Sequence, residues 1–179
     1  MPARFPTNNI ELRKELERIT NDLADHDRIG DQIGRIADLA LRFPHSISIA
    51  QRAETCQFNC YQYSFNLVNV GRVDERITRG KFPDREFARY LIETQLTEVA
   101  LEDAGENDHL IYSAEEIQHA GRIREGIVES KWGRGHLWRH QIYEVPSNYG
   151  DIVRCFSHMP QTHAIRAFVE WAEGWKQTG

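Results

Sequence analysis

The sequence predicts a single α+β domain in which N-terminal helices pack on a small antiparallel sheet. Apolar residues recur at three- and four-residue spacing in the first part of the chain, and from residue 109 their period changes to two. Helices that come first and strands that come late are typical of the α+β class. With 179 residues, 40% of them apolar and 27% charged, the chain is long enough to bury a core without disulfide bonds.

Two amphipathic helices are predicted in the N-terminal part, over about 10–24 and 31–41. The apolar residues that share one face of the first helix are Ile10, Leu12, Leu16, Ile19 and Leu23. We interpret residues 7–45 as a helical extension, which forms a lid over a cleft, an enlargement of the core or a dimer contact. Residues 46–55 are predicted to be a linker.

The middle of the chain predicts a short helix, a basic loop and a longer helix. Asn59 is a favourable N-cap residue, and the helix after it starts at Cys60 and ends near 69–71. Residues 71–83 are predicted to be a loop, which either lines a substrate groove or is solvated surface. An apolar stripe at helical spacing predicts the longer helix over 85–101.

The late part of the chain alternates between apolar and polar residues, which is typical of strands. Strands are predicted over 109–113, 118–123, 127–132 and 152–156. Arg124-Glu125-Gly126 predicts a hairpin turn between the second and third of them. Residues 137–140 are predicted to be irregular, and a C-terminal helix is predicted over 162–176.

Composition excludes several classes of partner. The net charge of −5 and the pI near 5.9 leave no basic surface for nucleic acid. Three cysteines are an odd count without repeated spacing, which favours a reducing compartment over a disulfide framework. The N-terminus lacks the apolar core of a signal peptide, and no apolar run reaches the ~18 residues of a membrane helix. We therefore expect a soluble protein made in the cytoplasm, with no membrane partner, which would need a dedicated route for export. Nothing in the pattern predicts an oligomeric state.

Cys60 is the candidate nucleophile. A cysteine in the first turn of a helix lies at the positive end of the helix dipole, which is expected to lower its pKa and favour the thiolate. Gln57, three residues upstream, is predicted to aim its side-chain amide at an oxyanion beside the sulfur. Cys56 is an alternative nucleophile that precedes the helix and lacks the benefit of the dipole. Cys155, in an apolar strand, is interpreted as core, which is the common role of free cysteines.

His119, on the second predicted strand, is the candidate base. A hairpin that closes around Gly126 would bring the residues near 129–131 opposite His119, so that the Glu129 carboxylate would orient the imidazole. A register shift of one residue would turn Ser130 toward it instead. The alternative for His119 is a histidine in the core or on the surface with all its hydrogen bonds made.

The order and spacing of these residues resemble a known superfamily. The segments concerned are Gln57-x-x-Cys60, Asn107-Asp108-His109-Leu110-Ile111-Tyr112 and His119-Ala120-Gly121. They are similar to those of the papain-like NlpC-type cysteine peptidases and amidases, except that Asn107 replaces the usual Gly. An uncharacterised bacterial subgroup of that fold shows a further succession, which resembles Ser130-Lys131-Trp132-Gly133, His140 and Tyr149-Gly150-Asp151.

The resemblance covers about 54–157 and implies a papain-like core there. It also implies Cys60 as nucleophile, His119 as base and Gln57 as oxyanion donor. The implied activity is cleavage of an amide or peptide-type bond through an acyl-enzyme without a cofactor. The substrate would be a peptide or protein amide, such as a cell-wall peptide.

Two other functions remain open at this point: a non-catalytic binding or regulatory protein of the same fold, and an acyltransferase or transglutaminase-like enzyme. Lys131, Trp132 and His140 either border the cleft or are structural. A zinc site is the remaining alternative, but its candidate ligands lack the tight spacing of structural zinc sites. These candidates are His119, His136, His140 and Cys155.

Overall fold

The structure is a computed structural model that describes residues 3–4, 10–21, 29–77 and 79–174. In the described part, six α-helices and eight strands follow one another along the chain. The helices are α1 (Ile10–Asn21), α2 (Gln32–Leu39), α3 (Cys60–Ser64), α4 (Gly71–Ile77), α5 (Arg85–Thr94) and α6 (Gln161–Gly174). The strands are β1 (Ala3–Arg4), β2 (Ser48–Gln51), β3 (Glu98–Val99), β4 (His109–Ser113), β5 (Ile117–Arg124), β6 (Ile127–Lys131), β7 (Leu137–His140) and β8 (Ile152–Phe156).

The strands form one antiparallel sheet. Its order is β1-β8-β4-β5-β6-β7-β2, and β3 pairs with the same edge of β8 as β1 does. The centre of the sheet is the run β8-β4-β5-β6, which comes from the late part of the chain. The prediction of an antiparallel sheet in an α+β domain is confirmed.

Helices cover both faces of the sheet. On one face, α1 and α2 enclose an apolar cluster that includes Leu16, Ile36 and Trp138. On the other face, α3 to α6 enclose a second cluster that includes Phe87 and Phe168. Because strand side chains alternate between faces, β4, β5 and β8 each contribute to both clusters.

The N-terminal helices enlarge the core. Leu12, Leu16 and Ile19 of α1 are buried against the sheet cluster, whereas Ile10 is 41% exposed. Of the three roles considered for this segment, the described residues support an extension of the core. The predicted end of the first helix near residue 24 lies outside the described residues, as does the predicted end of the last helix at 176.

The predicted hairpin is present. β5 and β6 pair antiparallel and are joined by Glu125 and Gly126, both with positive φ (54° and 77°). Two left-handed residues in succession are the geometry of a type I′ turn, which matches the right-handed twist of the strands.

Apart from the end of the Cys60 helix, four predictions of secondary structure are wrong. The segment expected to be a linker contains β2, the expected loop after residue 70 contains α4, and the segment expected to be irregular is β7. The long helix ends at Thr94 rather than near residue 101, because the chain turns to add β3 to the sheet. β7 was missed because three of its four residues are buried, which removes the alternation that marks a strand.

No helix in the described ranges is long and apolar enough to cross a bilayer.

Candidate functional site

The start of α3 places Cys60 against the sheet. Asn59 is the N-cap: its side chain accepts a hydrogen bond from the Gln62 N–H, and the Gln62 side-chain oxygen accepts one from the Asn59 N–H. Asn59 also donates to the Pro83 carbonyl at 2.7 Å. The predicted start of this helix is therefore confirmed, but the helix has only five residues and ends at Ser64.

The Cys60 sulfur lies where β5 and β6 part. The pairing between these strands ends at Arg122 and Glu129, although β5 reaches back to Ile117 and β6 forward to Lys131. Beyond that point, the sulfur accepts a hydrogen bond from the backbone N–H of Ala120, and from those of Tyr61 and Cys60 itself. The thiol thus lies against the backbone of β5, two residues before the last paired residue, Arg122.

Burial controls the ionisation of this thiol. Desolvation raises the pKa of Cys60 to about 11, although the three N–H groups and Lys131 oppose the rise. The expectation of a lowered pKa is therefore wrong. A helix of five residues has a small dipole, and the cost of burying a thiolate outweighs the stabilisation from its first turn.

His119 precedes Ala120 on β5 and is buried, with 1% of its surface exposed. Its ring stacks on Tyr149 with 3.9 Å between centroids and an interplanar angle of 12°, and Tyr112 lies across the strand pair. Its Nε2 is buried without a hydrogen-bond partner. Burial, aided by His140, holds the pKa of His119 well below its usual range, so the imidazole is neutral at pH 7.

Tyr149 connects the two candidate residues. Its ring covers His119, and its hydroxyl accepts a hydrogen bond from the Gly133 N–H. Burial, and next the nearby Cys60 thiol, raise the pKa of Tyr149. Tyr149 is recognisable in the sequence through the motif Tyr149-Gly150-Asp151, but nothing in the residue order indicates that its ring would reach His119.

Glu129 does not orient His119. In the observed register Glu129 pairs with Arg122, three residues from His119 along β5. Its carboxylate accepts hydrogen bonds from the Tyr63 hydroxyl and from Arg139 Nε, the latter at 2.7 Å. The predicted contact is wrong because of the register that the two-residue turn sets. The turn pairs Arg124 with Ile127 and therefore Arg122 with Glu129, which puts Glu129 beyond reach of His119.

Ser130, Trp132 and His140 form a buried hydrogen-bonded group instead of a cleft wall. His140 Nδ1 is 2.8 Å from the Gln141 carbonyl oxygen and therefore donates, which leaves Nε2 to accept from the Ser130 hydroxyl at 2.8 Å. The Trp132 indole donates to the same hydroxyl at 2.9 Å. All three side chains are fully buried, so the structural interpretation of Trp132 and His140 is the one the contacts support.

Lys131 is also buried, with 2% of its surface exposed. Its ammonium donates to the carbonyl oxygens of Gly133, at 3.3 Å, and Gly135 in the turn between β6 and β7. Burial lowers the pKa of Lys131, while Cys56 and Cys60 oppose this effect. Lys131 thus lies beside the sulfur and does not line an open cleft.

Gln57 is exposed, in the segment that leads into α3. It lines a surface cavity of about 250 Å³ together with Glu54, Phe58 and Asn69, among others. Among the described residues its side chain has no hydrogen-bond partner, and the oxyanion role remains a prediction.

The other cysteines have different surroundings. The Cys56 thiol is buried and donates to the Gln51 carbonyl at 3.8 Å. Cys155 is buried in β8, where burial raises its pKa to about 12, as expected of a core residue. Within the described part of the chain, no three His, Cys, Asp or Glu side chains are close enough together to hold a metal ion.

Comparison with known proteins identifies the central part of the chain. Residues 49–157 match the family described as a domain of unknown function, DUF7689. The chain belongs to this family. The matched range includes β2, the Cys60 helix and every strand from β3 to β8, so the DUF7689 domain contains the whole site. Neither the curated proteins nor the solved structures include a match.

Proposed function

We propose that the protein is a papain-like thiol hydrolase that cleaves an amide or peptide-type bond, with Cys60 as nucleophile and His119 as base. The observation that supports this most directly is the position of the Cys60 sulfur, which lies on the N–H groups of Tyr61 and Ala120, and Ala120 follows His119 directly on β5. The order of helix-borne cysteine and strand-borne histidine matches the superfamily that the sequence resembles. The substrate class is a peptide or protein amide.

Both reacting groups are neutral in the free protein, which determines how the reaction would start. A thiol with a pKa near 11 does not form a thiolate–imidazolium pair at pH 7. The unpartnered Nε2 of His119 would accept the thiol proton while the sulfur attacks the carbonyl carbon. His119 would then return that proton to the leaving amine, and water would hydrolyse the thioester with His119 again as base.

The test uses an activated ester in place of the unidentified amide. Incubation with p-nitrophenyl acetate should release a burst of p-nitrophenolate and leave one acetyl group on Cys60, located by peptide mass spectrometry. Cys60→Ser should lose the adduct. His119→Gln should slow acetylation by about 10²- to 10⁴-fold, the usual contribution of a general base.

The matched control is Cys155→Ser, which removes a thiol from the core and should leave the burst unchanged. Acetylation on Cys56, or a burst that survives in Cys60→Ser, would contradict the proposal. Added glycine amide would separate two enzymes: an acyltransferase gives an acetylated amine, and a hydrolase gives acetate.

A non-catalytic binding module of the same fold is the second candidate, and a specific observation favours it. Burial of both His119 and Lys131 leaves little open surface at the sulfur, and a raised thiol pKa is typical of a structural cysteine. This candidate predicts no burst and no acetyl adduct with the intact, folded protein.

A further inference from the structure

Lys131 is a buried cation that the scheme above does not use. A lysine with 2% exposure is unusual, because removing an ammonium from water is costly unless it is paired. Its two partners here are the carbonyl oxygens of Gly133 and Gly135, which are neutral acceptors. No carboxylate among the described residues forms an ion pair with it.

The turn between β6 and β7 contains two glycines, which let its backbone come close to Lys131. Gly133 has a φ of +53°, and a Cβ on Gly135 would lie 2.3 Å from Gln32 Oε1. The Gly135 N–H donates to the Trp132 carbonyl at 2.9 Å, so the turn folds back over the end of β6. The carbonyls of both glycines thereby converge on the ammonium at the end of the strand.

The sheet places this ammonium beside the sulfur. By continuation of the β5–β6 register, Lys131 is the residue opposite Ala120, and Ala120 is the residue whose N–H binds the Cys60 sulfur. α3 packs on both β5 and β6. Glu129 of β6 binds Tyr63 of α3, and Lys131, two residues further along β6, has its side chain on the same face of the sheet. Lys131 and Cys60 therefore both lie on the face that α3 covers.

We propose that Lys131 is a positioning residue for Cys60, whose ammonium stabilises the sulfur anion on the face of the sheet that α3 covers. Burial raises the pKa of Cys60 and lowers that of Lys131; Lys131 opposes the first effect, and Cys56 and Cys60 oppose the second. The proposal concerns the ionisation of the thiol, so it holds whether or not the protein hydrolyses amides.

Other titratable groups face the pair and must be kept constant in any test. Burial, and after it Cys60, raises the pKa of Tyr61 on α3 and of Tyr149 from the segment before β8, so both hydroxyls stay protonated near the thiol. His119 precedes the Ala120 donor on β5. Burial lowers the pKa of His136, and Lys131 adds to that effect.

The experiment measures the rate of iodoacetamide alkylation of Cys60 between pH 7 and 10, resolved by peptide mass spectrometry. Lys131→Met should slow alkylation at pH 9 by about tenfold, which corresponds to a rise of one unit in the thiol pKa. Lys131→Arg keeps the charge and should stay within about threefold of the native rate. Arg139→Gln is the matched control. It removes a positive charge that pairs with Glu129, and the alkylation rate of Cys60 is expected to stay unchanged.

An unchanged rate in a folded Lys131→Met protein would overturn the proposal. Because Met leaves two carbonyls unpaired, this variant can lose its fold, and a second measurement keeps every backbone contact. ¹⁵N NMR titration of Lys131 Nζ should show a higher pKa in Cys60→Asp, which puts a permanent anion at position 60, than in Cys60→Ser, and equal values would overturn the proposal. If Lys131→Met slows the alkylation of Cys60 as expected but the native protein gives no p-nitrophenolate burst, only the proposed enzymatic function is rejected.

Discussion

The Cys60 thiol is the residue on which the functional interpretation depends, and its protonation state can be measured directly. Burial raises its pKa from 9.0 to about 11, so the thiolate fraction at pH 7.5 falls by about 100-fold relative to an exposed cysteine. We expect iodoacetamide to alkylate Cys60 about 100-fold more slowly in the native protein than in urea at the same pH.

Cys155 is the internal reference for that measurement. It is 1% exposed and has a pKa of about 12, so it should react more slowly than the half-buried Cys60 in the native state. Fast alkylation of Cys60 below pH 8 would show that a thiolate–imidazolium pair forms in the free protein, against the burial argument.

At the scale of single residues, the sequence allows candidate site residues to be named, but their surroundings depend on the assembled fold. Cys60 and His119 could be chosen because a helix start and a strand are local features of the chain. The Glu129 partner could not be chosen correctly, because it depends on the register of a hairpin, and a small shift moves every contact. Burial of Lys131 was invisible for a similar reason: it follows from the turn at 132–136, which the residue order does not reveal.

Arg13 attaches α1 to the segment before β8, and it illustrates how the elements are joined. Its guanidinium is buried and donates to the carbonyls of Val145, at 3.1 Å, and Gly150, at 2.6 Å, and it also pairs with Asp151. Arg13→Met leaves these carbonyls without their donor, at a cost of about 2–4 kcal/mol in the free energy of unfolding.

Urea unfolding monitored by circular dichroism would measure this cost. Lys14→Met is the control, because Lys14 is exposed on the same helix and pairs with Glu11 at 3.2 Å; a change within about 0.5 kcal/mol is expected. Equal effects of the two variants would show that α1 is not held through Arg13.

Gly150 fixes the contact between the Tyr149 segment and β4. Its φ is +99°, and a Cβ there would lie 2.2 Å from the carbonyl carbon and oxygen of Ser113. Gly126 in the hairpin turn also has a positive φ, +77°, but nothing lies within 4 Å of its added Cβ. Both glycines would impose backbone strain on a substituted residue, but only Gly150 would also impose steric overlap. Comparing the two substitutions therefore separates the two costs.

Gly126→Ala should therefore cost about 1 kcal/mol, and Gly150→Ala at least about 3 kcal/mol, in the free energy of unfolding. Thermal unfolding of both variants would provide the comparison. Similar losses would mean that the Ser113 backbone moves aside, and that Tyr149 is held over His119 by other contacts.

The elements differ in how far the sequence could predict them. The β5–β6 hairpin was predicted because Glu125-Gly126 specifies its turn locally. β2 and β7 were not, since they pair with each other across 86 residues or more and β7 lacks alternation. Non-local pairing of this kind is decided by the assembled sheet and by the burial of both its faces.

On the scale of the whole molecule, buried neutral histidines are the main source of pH dependence. Burial lowers the pKa of His109 to about 3 and that of His140 to about 4, against 6.5 for an exposed imidazole. Below pH 6.5 the unfolded chain binds protons that the folded protein does not. Stability from these groups is therefore fully present above pH 6.5 and is lost as the pH falls toward 4 and 3.

The expected loss is large relative to the stability of an ordinary domain. Each such histidine changes the free energy of unfolding by about 1.4 kcal/mol per pH unit, so the two together cost on the order of 5 kcal/mol between pH 6.5 and 4.5. Because typical domains have about 5–15 kcal/mol in total, we expect acid unfolding to begin above pH 4.

Urea unfolding at pH 7.5, 6.5, 5.5 and 4.5 would give the slope, and His109→Gln tests one contribution to it. The Gln side-chain oxygen can accept the Met159 N–H that His109 Nε2 accepts at 3.1 Å, so the fold has a way to keep that contact. The variant should lower the slope by about 1.4 kcal/mol per pH unit, whereas His163→Gln on the exposed face of α6 should leave it unchanged. If the His109→Gln slope equals that of the native protein, His109 is protonated within the fold, and the core beneath α3 and α6 must then admit water.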